Sequence, residues 1–115
     1  SKKMKRGEIW LVNLDPTIGS EIQKTRPAVI VSSDLVGVLP LKVVVPFTEW
    51  KDRYASASWM VRIDADEQNG LGKSSAADGL QVRSVSHQRL VKQVGRLTPV
   101  QVAQIVQAVV NVLQR

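Results

Sequence analysis

The chain has 115 residues, 43% of them apolar and 23% charged, with a formal net charge of +6. That length fits one domain, and that composition belongs to a globular protein with an ordinary core, not to a disordered one. Cysteine is absent and histidine occurs once, at His87, which excludes disulfide staples, thiolate zinc sites, cysteine nucleophiles and multi-histidine metal centres.

No apolar run approaches the ~20 residues needed to cross a bilayer. Residues 1–6 lead into a polar-flanked strand, not a signal peptide. A cytoplasmic protein with no cofactor and no membrane partner is expected. Ser1, Lys2 and Lys3 read as an extension ahead of an alternative start at Met4, so the single expected domain is 4–115. Without the two lysines, 14 basic residues face 10 acidic ones, a balance of +4. That excess suits an anionic or nucleic-acid partner and equally suits a solvated basic face.

Residues 7–14 read Gly-Glu-Ile-Trp-Leu-Val-Asn-Leu. Ile9 and Leu11 alternate with Trp10 and Val12, which predicts a strand partly covered on both faces. Residues 15–20 carry turn chemistry in Asp15, Pro16 and Gly19. The segment 15–25 is long for a hairpin connection, and loops of that length commonly carry function. A β-branched strand follows at 27–32, then a loop at 34–40 around Gly37, then a strand at 41–48. After a polar stretch at 49–54, residues 58–63 alternate again, with Trp59 grouped with Val61 and Ile63 as core. Residues 64–72 form a loop with a tight-turn signal at Asn69-Gly70. Short strands are predicted at 79–85 and 89–95, joined by a turn or one helical turn at 86–88.

One helix closes the chain. Thr98 suits the N-cap, Pro99 the first helical position, and Gln101 completes a capping box. Val102, Ile105, Val106, Val109 and Leu113 form its apolar stripe, which Val100, Val110 and Val112 widen. Such breadth fits burial on two sides, against the sheet and a partner chain, and equally a helix simply sunk in its own sheet. Roughly five to seven short strands with one terminal helix predict a mainly β fold, a small barrel or strongly bent sheet.

Most candidate chemistries fail on spacing. Asp64, Asp66 and Glu67 lack the glycine and closing glutamate of a calcium loop and read as a solvated acidic turn. Gly72-Lys73-Ser74 ends like a phosphate loop, but Glu67 stands where the first glycine belongs and no long helix follows. Ser84, Ser86 and His87 have no nucleophile elbow. What remains is the segment 21–27 with Arg26 before Pro27, which biases the arginine backbone toward extended geometry. Its guanidinium stays protonated and can clamp phosphate with two donors. Thr48 ends an otherwise apolar strand with a hydroxyl. Together the two make a candidate oxyanion or phosphate site, with core packing and a solvated loop end as the plain alternative.

These residues also carry a resemblance. Arg6-Gly7-Glu8-Ile9-Trp10, then Gly19-Ser20-Glu21, then Lys24-Thr25-Arg26-Pro27-Ala28-Val29-Ile30, is similar to the MazF/PemK (Kid) family of toxin endoribonucleases. Val44-Val45-Pro46-Phe47-Thr48, Gly70-Leu71-x-Lys73-x-Ser75, Gln81-Val82-Arg83-Ser84-Val85 and Gly95-Arg96-Leu97 continue the match. The resemblance implies an SH3-like β-barrel of the CcdB/MazF type with a C-terminal helix, forming a homodimer. It implies cofactor-free, metal-independent cleavage of single-stranded RNA at a short sequence by the substrate's own 2′-hydroxyl. The products would be a 2′,3′-cyclic phosphate and a 5′-hydroxyl end. It also implies a cognate MazE/PemI-like antitoxin laid across the groove.

Residue by residue, the resemblance makes Arg26 and Thr48 catalytic, the first stabilising the phosphorane and the second holding a phosphate oxygen. Glu21 matches the family's loop glutamate, which either accepts the 2′-hydroxyl proton or orients Arg26. Lys24, Ser75, Gln81 and Phe47 match positions that line the RNA groove; no metal ligand is implied. The chain departs from some members in having no histidine at 13–25 and in placing Leu80 where many carry an acid, with Asp78 the nearest carboxylate. Trp50 and Tyr54 are either RNA-stacking or packing residues. Two rival readings remain. A gyrase poison of the CcdB type would use a tryptophan near its C-terminus, whereas the last tryptophan here is Trp59. A non-catalytic barrel would bind nucleic acid or protein through its basic face.

Overall fold

The computed structural model describes residues 4–36 and 39–114. The extension at Ser1, Lys2 and Lys3, and the loop glycine Gly37, lie outside the described residues. Among the described residues the strands are β1 (Glu8–Asn13), β2 (Thr25–Ile30), β3 (Leu41–Glu49), β4 (Met60–Ile63), β5 (Ser75–Asp78), β6 (Arg83–Ser86) and β7 (Leu90–Arg96), followed by the helix α1 (Pro99–Leu113). All the pairings are antiparallel. The path runs β4-β5-β3-β2-β1-β7, with β6 also beside β3. It ends at β4 and β7, so the sheet is barrel-like without closing.

The long strand β3 organises this curl. Along one edge it pairs β2, with Ala28 opposite Pro46 and Ile30 opposite Val44. Along the other it pairs β6 at residues 41–44 and then β5 at residues 47–49. Pro46, which has no N–H to donate, sits where β3 leaves β6 and takes up β5.

Both faces of the sheet are covered, as the double alternation at 9–12 predicts. Ile9, Val29, Val45, Phe47 and Ile63 pack with Val102 and Ile105 of α1 in one cluster. Trp10, Val12, Leu14, Ile30, Val44 and Leu90 form the second. Each large aliphatic side chain buried this way contributes roughly 1.5–3 kcal/mol. The α1 capping box forms as expected: Gln101 N–H donates to Thr98 Oγ1 at 3.2 Å, and Thr98 N–H donates to Gln101 Oε1 at 3.0 Å. Of the predicted stripe, Val102 and Ile105 are buried, whereas Leu113 is exposed.

Two expectations are corrected. The strand predicted at 79–85 is divided: β5 ends at Asp78, a 3-10 turn takes Gly79–Gln81, and β6 begins at Arg83. Asp78 causes the break, because its carboxylate accepts from Leu80 N–H and caps the turn. Trp59 is not core but 38% exposed. It precedes β4, so the inward alternation of that strand has not begun. Its carbonyl accepts from Gly79 N–H at 2.8 Å.

Candidate active site

Arg26 and Thr48 meet because of strand register. Ala28 faces Pro46 across β2 and β3. The ladder stops there, and its register extended by two residues on each strand brings Arg26 and Thr48 to one end of the β2–β3 pair. Both line one cleft of about 250 Å³ with Phe47, Glu49, Lys73 and Ser75. Arg26 is exposed and Thr48 half-buried. Among the described residues, the one hydrogen bond of the Arg26 side chain runs from Nε to the Gln23 carbonyl at 3.3 Å, and Thr48 Oγ1 has none.

The other walls have their own causes. Phe47 is 2% exposed and belongs to the core, so it makes the apolar floor. Ser75 is 7% exposed, and its hydroxyl donates to the Lys73 carbonyl at 3.0 Å. Lys73 Nζ lies 3.5 Å from Glu49 Oε2 at the rim. The 64–72 loop that delivers Lys73 is built around buried Asn69. Its Oδ1 accepts from Asp66 and Leu71 N–H, and its Nδ2 donates to the Asp64 carbonyl. Asp64 in turn accepts from Arg62 and Ser74. These contacts, the Arg62 hydrogen bond first, hold its carboxyl below the usual range.

Glu21 and Gln81 lie elsewhere. They line a neighbouring cleft with Ser20, Leu80, Val82 and Arg83. Glu21 Oε1 accepts from Ile18 N–H at 2.7 Å. Gln81 Oε1 accepts from Ile22 N–H at 2.7 Å, and its Nε2 donates to the Ser20 carbonyl at 3.0 Å. Lys24 is exposed and holds a left-handed backbone, φ 68°, kept there by its N–H on Asp15 Oδ1 and its carbonyl on Leu14 N–H.

Trp50 and Tyr54 pack edge to face, their ring centres 5.9 Å apart. Arg62 covers the Trp50 ring and Arg53 the Tyr54 ring, each at 5.3 Å. Among the described residues, no group of three His, Cys, Asp or Glu side chains is arranged to hold a metal ion. No helix among them is long and apolar enough to cross a membrane.

Sequence reasoning misses Glu49 and gives the family-matched arginines Arg83 and Arg89 no role. Glu49 follows Thr48 directly, and only the cross-strand pairing with Ser75 carries it to the rim. Arg83 donates to the Leu14 carbonyl at 3.2 Å, and Arg89 to the Asn13 carbonyl at 3.0 Å and the Asp15 carbonyl at 2.5 Å. Contacts spanning about seventy positions leave no local signal.

The profile of the family described as PemK-like, MazF-like toxin of type II toxin-antitoxin system matches residues 5–113. Endoribonuclease MazF9 of Mycobacterium tuberculosis is 34% identical over 111 residues, covering 91% of this chain and 92% of that protein. MazF of Deinococcus radiodurans superimposes with a TM-score of 0.81 at 22% identity, covering 98% of each chain. An endoribonuclease from a mycobacterial species, solved in complex with its cognate antitoxin, gives 0.71 at 17% identity over 95% of this chain and 93% of that one. With the profile spanning nearly all of its length, the chain belongs to the PemK-like, MazF-like toxin family of type II toxin-antitoxin systems.

Proposed function

We propose that this protein is a sequence-specific, metal-independent endoribonuclease that cleaves single-stranded RNA and is neutralised by a cognate antitoxin. The observation that carries the reading is the pairing of Arg26 and Thr48 in one open cleft, with donors available to a phosphate. The 2′-oxygen loses its proton and forms a bond to phosphorus. The bond from phosphorus to the 5′-oxygen breaks, and that oxygen takes up a proton. A 2′,3′-cyclic phosphate and a 5′-hydroxyl result.

Arg26 stabilises the charge that builds on the phosphorane oxygens, and such preorganised donation is commonly the largest catalytic contribution. Thr48 donates its hydroxyl to a phosphate oxygen. A hydroxyl is a poor proton acceptor near neutral pH, so the 2′-hydroxyl proton goes to a carboxylate. Glu49 lines this cleft and takes that role. Glu21, engaged by Ile18 N–H, keeps the second of its two expected roles, shaping the loop that orients Arg26. Lys24 attracts the RNA backbone, Ser75 and Phe47 form the floor and wall beside it, and Gln81 frames the groove. A homodimer accounts for the exposed apolar side chains Leu80, Val100 and Leu113.

The test is incubation with a long single-stranded RNA in excess EDTA, with the new 5′ ends mapped. Discrete cuts bearing 5′-hydroxyl groups, lost in Arg26→Ala, are expected. Intact RNA with folded, antitoxin-free protein, or full cleavage by Arg26→Ala and Thr48→Ala alike, would sink the reading.

A further inference from the structure

We infer that Gln81 is a positioning residue for Arg26, acting through the loop between β1 and β2 and not by touching RNA. The inference rests on the ribonuclease reading for its catalytic consequence and on geometry alone for the clamp itself. A side-chain amide carries a donor and an acceptor on one plane. Both are engaged here by the same loop: the acceptor by Ile22 N–H at 2.7 Å, the donor by the Ser20 carbonyl at 3.0 Å. The next residue, Gln23, offers the carbonyl that receives Arg26 Nε at 3.3 Å. One residue therefore separates the clamped amide from the group that holds the guanidinium.

The base of this clamp is rigid. Gln81 ends the 3-10 turn Gly79–Gln81, which the Asp78 carboxylate caps through Leu80 N–H at 3.1 Å. A side chain at Gly79 would come within 3.0 Å of the Trp59 carbonyl and 3.2 Å of the α1 backbone at Ala108, so the turn is wedged between β4 and α1. The other end of the loop is fixed by Arg83 and Arg89 on the carbonyls of residues 13–15. A loop held at both ends by side chains from one distant segment has its shape set by that segment. With one amide hydrogen and one oxygen lone pair committed to the loop, the orientation of the Gln81 side chain is set by the loop it holds.

The test compares wild type with Gln81→Leu, which keeps bulk and loses both bonds, and Gln81→Glu, which keeps the acceptor for Ile22 N–H and loses the donor. Three quantities are read on the full chain: amide hydrogen exchange at Ile22, the Arg26 Nε–H signal, and cleavage kinetics with mapped ends. For Gln81→Leu, Ile22 exchange rises about 10-fold and the Arg26 signal shifts, as loss of one half-buried hydrogen bond requires. In the same variant kcat falls roughly 10-fold, KM holds within about twofold, and the cut sequences stay the same. Gln81→Glu restores Ile22 protection and part of kcat. An altered cut sequence, a KM effect without a kcat effect, or unchanged Ile22 exchange in Gln81→Leu would overturn the inference. If wild type cuts no RNA, the ribonuclease reading fails by itself. The Ile22 and Arg26 signals then still decide the clamp, because an Arg26 signal indifferent to Gln81→Leu refutes it.

Discussion

Two clefts lie side by side on this small sheet, and they differ in what their polar groups are doing. In the cleft of Arg26 and Thr48, the threonine hydroxyl has no partner among the described residues and the guanidinium makes one long bond to a carbonyl. In the neighbouring cleft, Glu21, Gln81 and Arg83 are each hydrogen-bonded to backbone of the loop between β1 and β2. Satisfied groups rigidify and orient; groups left open to water are available to a ligand. The contrast divides the family-matched residues into those whose side chains are open to a ligand and those already committed to the loop, and the proposed roles follow that division.

The sharpest way to break this division is to remove groups one at a time. Arg26→Ala should lower kcat by about 10²–10³-fold, the loss associated with one preorganised donor to a developing oxyanion. Thr48→Ala removes a neutral hydrogen bond and should lower kcat roughly 10-fold. Between these stands the carboxylate comparison. Glu49→Gln should lower kcat by about 10²-fold and abolish the acidic limb of its pH profile, as loss of a general base does. Glu21→Gln keeps an acceptor for Ile18 N–H and should change kcat less than threefold or so. Single-turnover cleavage against pH measures both. A larger loss in Glu21→Gln than in Glu49→Gln would reverse the roles given to the two clefts.

Much of the fold is legible in the sequence. The alternation of Ile9, Trp10, Leu11 and Val12 gives β1 with both faces covered, and Thr98, Pro99 and Gln101 give the start of α1. Residue chemistry and the family pattern single out Arg26 and Thr48, and the two line one cleft. What stayed hidden is non-local or lacks a side-chain signature. β5 is Ser-Ala-Ala-Asp, a strand without one β-branched or aromatic residue, stable because it is buried between β3 and β4. Glu49 reads as the first residue of a polar stretch, and only the ladder to Ser75 carries it to the rim. The engagement of Gln81 by residues about sixty positions away cannot be inferred from spacing, which is why the family match alone leaves it looking like a reader of RNA.

Lys24 tests the division at its margin, because it belongs to the held loop yet offers an exposed ammonium group. Its left-handed backbone is one that asparagine also tolerates. Lys24→Asn should therefore leave stability within about 0.5 kcal/mol. It should flatten the salt dependence of RNA binding by about 0.7 in log K per log salt, the contribution of one phosphate contact on a single strand. An unchanged slope in a titration between low and moderate salt would remove Lys24 from the RNA path. A large loss of stability would show that its side chain, and not the bonds to Asp15 and Leu14, holds the loop.

The smallest effect concerns Asp78, beneath the clamp. Burial pushes its carboxyl up, and the N–H donors of Leu80 and Gln81 oppose that shift only in part. A carboxyl whose folded pKa lies above its unfolded value, about 3.9, favours the folded state fully below that value. The contribution is lost as pH rises through the folded value, so the ionised group opposes folding at neutral pH. Asparagine keeps an oxygen to cap Leu80 N–H and carries no charge to bury. Asp78→Asn should raise Tm at pH 7 by a few °C, about 1 kcal/mol or less for a chain of this size, and the advantage should shrink as pH falls toward about 4. Thermal melts across that range decide it. An advantage that grew on acidification would mean that the two N–H donors outweigh desolvation, and that the negative charge itself is what seats the turn carrying Gln81.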